Sequence, residues 1–472
     1  MRTWFPFEFW FPLSVSELLT VLGFLLAVVL LATILKSNRP PQSTIAWLLS
    51  IVLVPYIGVP LYLLVGGRKM RRMAGQKGRL YDRNMGEPGG EFGPGTERVL
   101  RSFGVPPATR GNRVEFVSSG VEAYQQLMQV IDGAERSVHI TTYILGRDAV
   151  GEAVVARLAR RAAEGLEVRV LLDGLGSWRV GRRWFAPLTA AGGQVAYFMP
   201  MLHIPFRGRS NLRNHRKIIV ADGRVALTGG MNIAEQYMGP IPSAERWRDV
   251  SLLVTGPAAL DLDALFRSDW AFATGGAPEP VDPRAAEFAA THAGDTPVQI
   301  VASGPDVDGD PLYESLITLL FTARKRIWVA TPYFVPDEIL VRALELAARR
   351  GVDVRLLIPQ RSNHLSADLA RVGYLRQVDN AGGTILRYRP TMLHAKIILI
   401  DDELAVVGSA NMDMRSLFLN YEVALFLYSH ARVGETEAWF QALSAHCRPG
   451  LAKPNVALEL LENVVRLLSP LL

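Results

Sequence analysis

One eight-residue pattern occurs twice in this chain, and nothing else in it limits the possible folds as tightly. His215-Arg-Lys217-Ile-Ile-Val-Ala-Asp222 and His394-Ala-Lys396-Ile-Ile-Leu-Ile-Asp401 both read H-x-K-x4-D. Each leads into a Gly-x-x-Asn turn, Gly229-Gly-Met-Asn232 and Gly408-Ser-Ala-Asn411. The step from His to Asn is 17 residues in both copies (232 − 215 and 411 − 394). Coincidence of motif and spacing together means an internal duplication. In a strand, residues i and i+2 face the same side, so each copy projects an imidazole and an ammonium as a pair. The apolar run after each Lys predicts a buried strand, and Asp222 and Asp401 at its end are expected to anchor a turn.

The surrounding sequence repeats too. Ser137–Tyr143 matches Ile327–Tyr333 as a strand, and helical patterns over 153–164 and 341–350 each stop at a Gly (Gly165, Gly351). Apolar strands at 168–173 and 354–359 follow, then Ala191-Gly-Gly and Ala381-Gly-Gly. The offset between halves is 190 residues at Tyr143/Tyr333 and 179 at the histidines, so the first half carries about eleven extra residues around 201–214. Alternating strands and helices in duplicate predict an α/β protein: two tandem α/β/α units with mixed sheets, forming one pseudo-two-fold domain. The expected halves are 112–276 and 296–472, the second ending in an amphipathic helix, with 278–295 as connector. No G-x-G-x-x-G follows a strand, which argues against a dinucleotide-binding fold.

Ahead of these halves lies a different kind of sequence. Leu18–Leu35 and Ile45–Val65 carry no charge, and at ~1.5 Å per residue each can cross a hydrocarbon layer of ~30 Å. Residues 1–67 are therefore expected to form a transmembrane hairpin, with spans at about 15–35 and 45–65. Pro55, Gly58 and Pro60 would kink the second span. The aromatic run Trp4, Phe5, Phe7, Phe9, Trp10 and Phe11 suits a membrane interface. The second apolar span and the lack of a small-residue cleavage site argue against a cleaved leader. The segment 68–111 reads as a basic, Gly/Pro-rich linker; from Arg68 to Arg113 eleven Arg/Lys face four Asp/Glu, part of a net charge of +6. That excess beside the second span predicts a multi-pass protein of the cytoplasmic membrane, with its large domain in the cytoplasm. A single cysteine, Cys447, agrees with a reducing compartment.

Two imidazoles, two ammonium groups and two amides brought face to face suit a phosphodiester. Lys217, Lys396, Asn232 and Asn411 can hold the non-bridging oxygens. One His can attack phosphorus while the other protonates the leaving alcohol. Lysine is scarce, seven against 44 arginines, yet it stands at the same place in both motifs. No residues have metal-ligand spacing, so neither metal nor cofactor is expected.

On these residues the chain resembles the phospholipase D superfamily, and within it the bacterial cardiolipin synthases. The resemblance extends to the two apolar spans, Arg209-Ser-Asn-Leu-Arg-Asn-His215, Trp247-Arg-Asp249, Asn420-Tyr-Glu422 and the closing Arg-Leu-Leu-Ser-Pro-Leu-Leu. It implies that His215, Lys217, Asp222, His394, Lys396 and Asp401 form the catalytic signature. It also implies that Asp249 and Glu422 each orient one His, with the pairing open. Only the second turn offers a hydroxyl, Ser409, where the first has Gly230. The implied reaction joins two phosphatidylglycerol molecules at the bacterial inner membrane: His215 takes up the phosphatidyl group, His394 protonates the departing glycerol, and the second lipid resolves the intermediate to cardiolipin. A membrane-tethered phospholipase D hydrolysing or exchanging headgroups of phosphatidylethanolamine or phosphatidylglycerol, a nuclease and an inactive lipid-binding scaffold are the competing readings. The spans and the lack of an aromatic-interleaved basic channel argue against nucleic acid. Oligomeric state and the acyl and second-substrate preferences stay open.

Other residues carry weaker signals. His139 reads as a core histidine, and His203, Arg207 and Arg209 as loop residues or headgroup contacts. His364 is expected at the site's rim. The helix over 365–378 reads as core packing with an interfacial alternative, and Cys447 as inert.

Overall fold

The computed structural model describes residues 15–35, 41–62, 77, 80–81, 94–199, 212–289, 293–451 and 462. The aromatic run at 4–11, most of the basic linker, His203, Arg207, Arg209 and nearly all of the C-terminal helix lie outside the described residues. The chain divides into two units, Met1–Met73 and Ala74–Leu472.

In the first unit a helix covers Val15–Leu35, followed by helices Pro41–Leu53 and Pro55–Leu61. The second apolar stretch is thus broken where a kink was expected. Val54 leaves the helical region (φ −135°, ψ 62°) because the ring of Pro55 excludes the residue before it from helical geometry. Gly58 passes so near Ser50 that a Cβ would stand 2.2 Å from its carbonyl oxygen. Leu30, Ile34, Ile51 and Tyr62 pack together. The side chains of 15–20 are not among those described, and among the described residues no helix is long and apolar enough to cross a membrane.

The second unit is built on one sheet. Its strands are β1 (Thr109–Val117), β2 (Ser137–Thr142), β3 (Glu167–Asp173), β4 (Gln194–Phe198), β5 (Ile218–Ala221), β6 (Val225–Gly229) and β7 (Ser251–Thr255) from the first half. The second half adds β8 (Thr296–Ser303), β9 (Arg326–Ala330), β10 (Phe334–Val335), β11 (Asp353–Pro359), β12 (Thr384–Tyr388), β13 (Ile397–Ile400), β14 (Leu404–Gly408), β15 (Met412–Asp413), β16 (Glu422–Leu427) and β17 (Cys447–Pro449). Fifteen of them run β17-β12-β11-β9-β13-β14-β16-β8-β1-β7-β6-β5-β2-β3-β4, while β10 and β15 pair separately.

Read outward from its centre, that order is the same in both directions up to β4 and β12, with β17 extra at one edge: β1 answers β8, β7 answers β16, and β5 answers β13. The two expected sheets are therefore one, because β1 and β8 pair antiparallel and cover each other's open edge. Within each half of the large sheet β2-β3-β4 and β9-β11-β12 are parallel and the other pairs antiparallel, giving the expected mixed α/β arrangement; the separate β10–β15 pair is parallel. β5 and β13, the strands after the two motif lysines, are buried along their whole length. The helix Pro257–Thr274 packs on strands of both halves.

Candidate active site

The two halves interlock beside their motifs. The amide of His215 donates to the carbonyl of Tyr421 (2.9 Å), and the amide of Tyr421 to that of Arg213 (2.9 Å). Across the pseudo-two-fold, His394 donates to Arg248 (2.7 Å) and Arg248 to Met392 (2.8 Å). Each histidine is thus tied to the residue just before the other half's acid, and the acids cross over. Glu422 holds Nδ1 of His215 with both oxygens at 3.0 Å. Asp249 holds Nδ1 of His394 at 2.6 Å. With Nδ1–H donated to a carboxylate, Nε2 of each ring keeps the lone pair that chemistry needs. The pairing left open by sequence is Asp249 with His394 and Glu422 with His215.

Local bonds fix these acids in turn. The Ser409 hydroxyl donates to Glu422, the Asn420 amide reaches its other oxygen (3.2 Å), and the Ser409 carbonyl lies 3.1 Å from Nδ1 of His215. Asp249 is capped by the amide of Val250 at 2.7 Å.

Lys217 and Lys396 lie alongside, as the i, i+2 rule requires. Nζ of Lys217 donates to the His215 carbonyl (2.6 Å), and Lys396 donates to the carbonyl of His394 and stands 2.8 Å from its Nδ1. Burial lowers the affinity of all four bases for a proton. It pushes Lys217 down to about 7 and Lys396 to about 8. His215 also falls, while burial together with Lys396 takes His394 to about 3. Burial would raise the two acids, but Lys396 and His394 hold Asp249 low, and His215 and Lys217 do the same for Glu422.

Both histidines open into a cavity of about 750 Å³ that Asn232 and Asn411 also line. The two amides differ from their expected symmetry. The Asn232 carbonyl accepts from the amide of Ile144 (3.1 Å), which fixes its orientation. Asn411 instead donates to the Ser416 hydroxyl (3.1 Å), and its carbonyl oxygen is buried without a hydrogen-bond partner.

Asp222 and Asp401 belong to the signature but act as turn anchors, as their strand-end position predicts, and neither lines the cavity. Asp222 accepts from the amides of Glu135, Arg136 and Ser137 at 2.8 Å each. Asp401 does the same for Arg324, Lys325 and Arg326. Both adopt positive φ, 56° and 51°, at the tight turn each closes.

His364 lines the cavity as expected. His139 is a core residue, buried between Asp263 (2.6 Å) and Glu167 (3.0 Å) and stacked on Phe266. Sequence reasoning missed the aromatic wall. Tyr143 meets the His215 ring at 5.0 Å, and Tyr237 and Trp247 meet His394 at 5.1 and 5.4 Å. Tyr143 and Tyr333 both line the cavity, and their recurrence at one place in each repeat was a signal for it. Among the described residues no group of three or more His, Cys, Asp or Glu could hold a metal ion.

The family described as cardiolipin synthase, PLD-like domain, matches residues 127–270 and 316–444, more than half of the chain. This chain belongs to that family. A further family model, the phospholipase D-nuclease N-terminal segment, matches 25–67. Cardiolipin synthase 1 of Bacillus anthracis is 34% identical over 97% of this chain and 95% of its own. The cardiolipin synthase of Geobacillus kaustophilus (strain HTA426) is 34% identical over 94% of this chain and 92% of its own. Among solved structures, the phosphatidylserine synthase of Haemophilus influenzae Rd KW20 shares the fold, with a TM-score of 0.61, 17% identity, and coverage of 80% of this chain and 100% of that one.

Proposed function

We propose that this chain is a cardiolipin synthase that moves a phosphatidyl group from one phosphatidylglycerol to another. The observation that carries this reading is the crossed pair of His–acid dyads opening into one cavity. The dyads support two-step transfer chemistry, and the near-full-length likeness to cardiolipin synthases supports a lipid rather than water as the acceptor. A ping-pong transfer needs a nucleophile and a separate acid–base, each held by its own carboxylate.

In the first step Nε2 of His215 attacks phosphorus, the bond to the glycerol oxygen breaks, and that oxygen takes the proton from Nε2 of His394. In the second, His394 removes the proton from a hydroxyl of the incoming lipid, whose oxygen attacks phosphorus and releases His215. Lys217 and Lys396 with Asn232 supply the positive charge and the amide for the non-bridging oxygens. Burial first and Lys396 second lower His394 in the free protein; the negative charge of a bound phosphodiester works against both and favours the protonated ring.

The match of 25–67 and the apolar helix Val15–Leu35 support membrane association. Our reading places that hairpin in the bacterial inner membrane and the halves 112–276 and 296–472 in the cytoplasm; of the expected linker 68–111, the helix Pro94–Ser102 and the start of β1 belong to the folded unit, with Leu100 and Val105 in its core. Purified protein given labelled phosphatidylglycerol as the sole lipid is expected to release cardiolipin and glycerol in equal amounts. Phosphatidic acid as the only product would support a phospholipase D instead, and lipid binding without turnover would overturn both enzyme readings.

A further inference from the structure

Among the described residues of the second unit, six large apolar side chains are exposed: Leu175, Trp178, Ile241, Phe321, Ile339 and Leu365. Five of these lie on or within four residues of a residue lining the active-site cavity. Leu175 lines it, Trp178 follows by three, Ile241 follows Tyr237, Ile339 follows Val335, and Leu365 precedes Ser366. Trp178, Ile241 and Leu365 expose 61, 73 and 74% of their surface. Core packing explains none of that, and a single exposed Leu would need no explanation. Their recurrence at or beside cavity-lining positions does.

The chemistry next to two of these side chains, Trp178 and Leu365, points to what covers them. The stretch 174–185 carries exposed Arg179, Arg182 and Arg183 with no acidic residue, and exposed Arg361 precedes Leu365 by four. The Arg179 guanidinium lies over the Trp178 ring, 5.3 Å from its centroid. An indole and an arginine held together match a lipid headgroup layer, where the ring meets acyl carbon and the guanidinium meets phosphate. Each arginine near an anionic surface adds to the attraction. A protein seated on this rim would close the cavity, whereas a bilayer supplies a lipid substrate through it.

We propose that the loops bearing Trp178, Ile241 and Leu365 dock the cavity mouth onto the surface of an anionic phospholipid bilayer, so that lipid enters without passing through water. This rests on the lipid substrate of the reading above. The test uses the full chain in the Cys447→Ser background, reconstituted in vesicles of phosphatidylglycerol and phosphatidylcholine. A bimane label is placed through Trp178→Cys, Leu365→Cys or, as control, Phe321→Cys, and doxyl-labelled lipid is the quencher. Quenching at 178 and 365 at least threefold stronger than at 321 is expected; equal quenching at all three overturns the proposal. The double variant Trp178→Ser/Leu365→Ser is expected to raise the apparent KM for vesicle lipid about tenfold and to leave turnover of monomeric short-chain phosphatidylglycerol unchanged. An equal fall on both substrates overturns it as well. Failure of the wild-type chain to convert phosphatidylglycerol would sink the synthase reading, while the quenching contrast would still decide the docking.

Discussion

The two motif copies begin alike and are supported by opposite means. In the first, the residue between His and Lys is Arg216, fully buried, bonded to Asp269 (2.7 Å) and to the carbonyls of Glu422 (3.1 Å) and Ser303 (3.1 Å). Asn214 on its other side donates to the same Asp269 at 2.9 Å. In the second copy these places hold Ala395 and Leu393, both in the apolar core. The first histidine is thus held by a charge network and the second by packing. Lys77, from the linker, joins only that network, pairing with Asp269 and with Asp306 (2.7 Å) and lying 4.9 Å from the Tyr421 ring. A duplicated fold has kept its reacting groups symmetric while its two supports diverged, which is what two different chemical roles require.

The most severe way to break the comparison is to remove either imidazole. His215→Ala and His394→Ala should each lower turnover at least about 10³-fold, the scale of a lost nucleophile or acid–base. The roles then separate with a p-nitrophenyl phosphatidyl ester, whose leaving group needs no proton. Quenching His394→Ala in neutral-to-mildly alkaline denaturant, where a phosphorus–nitrogen bond survives, should trap a phosphatidyl-histidine, and His215→Ala should yield none. The reverse pattern would exchange the two assignments.

Next comes the unequal support. Arg216→Ala leaves Asp269 buried with one cation fewer, a change that costs about 3–5 kcal/mol for a broken buried pair. A fall in thermal unfolding temperature of several degrees should accompany it. Ala395→Gly, at the matching position, removes one methyl group and should cost about 1 kcal/mol. Equal losses in the two variants would mean that the charge network does not hold the first copy.

The turns differ for a physical reason as well. A Cβ on Gly230 would stand 2.1 Å from Oδ1 of Asp249, so the first turn has no room for the serine that the second uses to grip Glu422. The shorter acid sits against the backbone, and the longer one reaches past a side chain. Gly230→Ala should push Asp249 off His394 and lower kcat about 10²-fold, the scale of a misplacement near 1 Å. Ser409→Gly should cost about tenfold, because Glu422 keeps Asn420 and His215; a gentle Gly230→Ala and a damaging Ser409→Gly would refute this account.

These contrasts also show what sequence could carry. The doubled H-x-K-x4-D and its repeating flanks gave the strands, the α/β class and the histidine, lysine, asparagine and acidic positions, because a strand's two-residue period converts spacing into facing. Pairing Asp249 with His394 spans 145 residues and Glu422 with His215 spans 207, and only the antiparallel joining of β1 to β8 determines that acids are exchanged. Lys77 was unreadable for the same reason. It looked like one more cation in a basic linker, and its partners are 192 and 229 residues away. The jobs of Asp222 and Asp401 were read from their position at a strand end, where a carboxylate caps neighbouring amides.

The smallest expected effect is a pH profile, and it sharpens the comparison between the two lysines. A lysine is cationic below its pKa, so phosphate binding through it is present at low pH and lost as pH rises through that value. Lys217 sits at about 7 and Lys396 at about 8, both lowered by burial. In the free protein kcat/KM for phosphatidylglycerol vesicles should therefore decline in two steps across that interval, a few-fold at the first and more at the second. On the acidic side Asp249 and Glu422 stay ionised below the ordinary carboxylate range, so no loss is expected near pH 5. Arginine does not titrate in this range, so Lys217→Arg should remove the first step while keeping the second, at whatever absolute activity the variant retains. A profile flat to pH 9, or one that loses both steps together in Lys217→Arg, would mean that the two ammonium groups do not act as separately titrating holders of the phosphate.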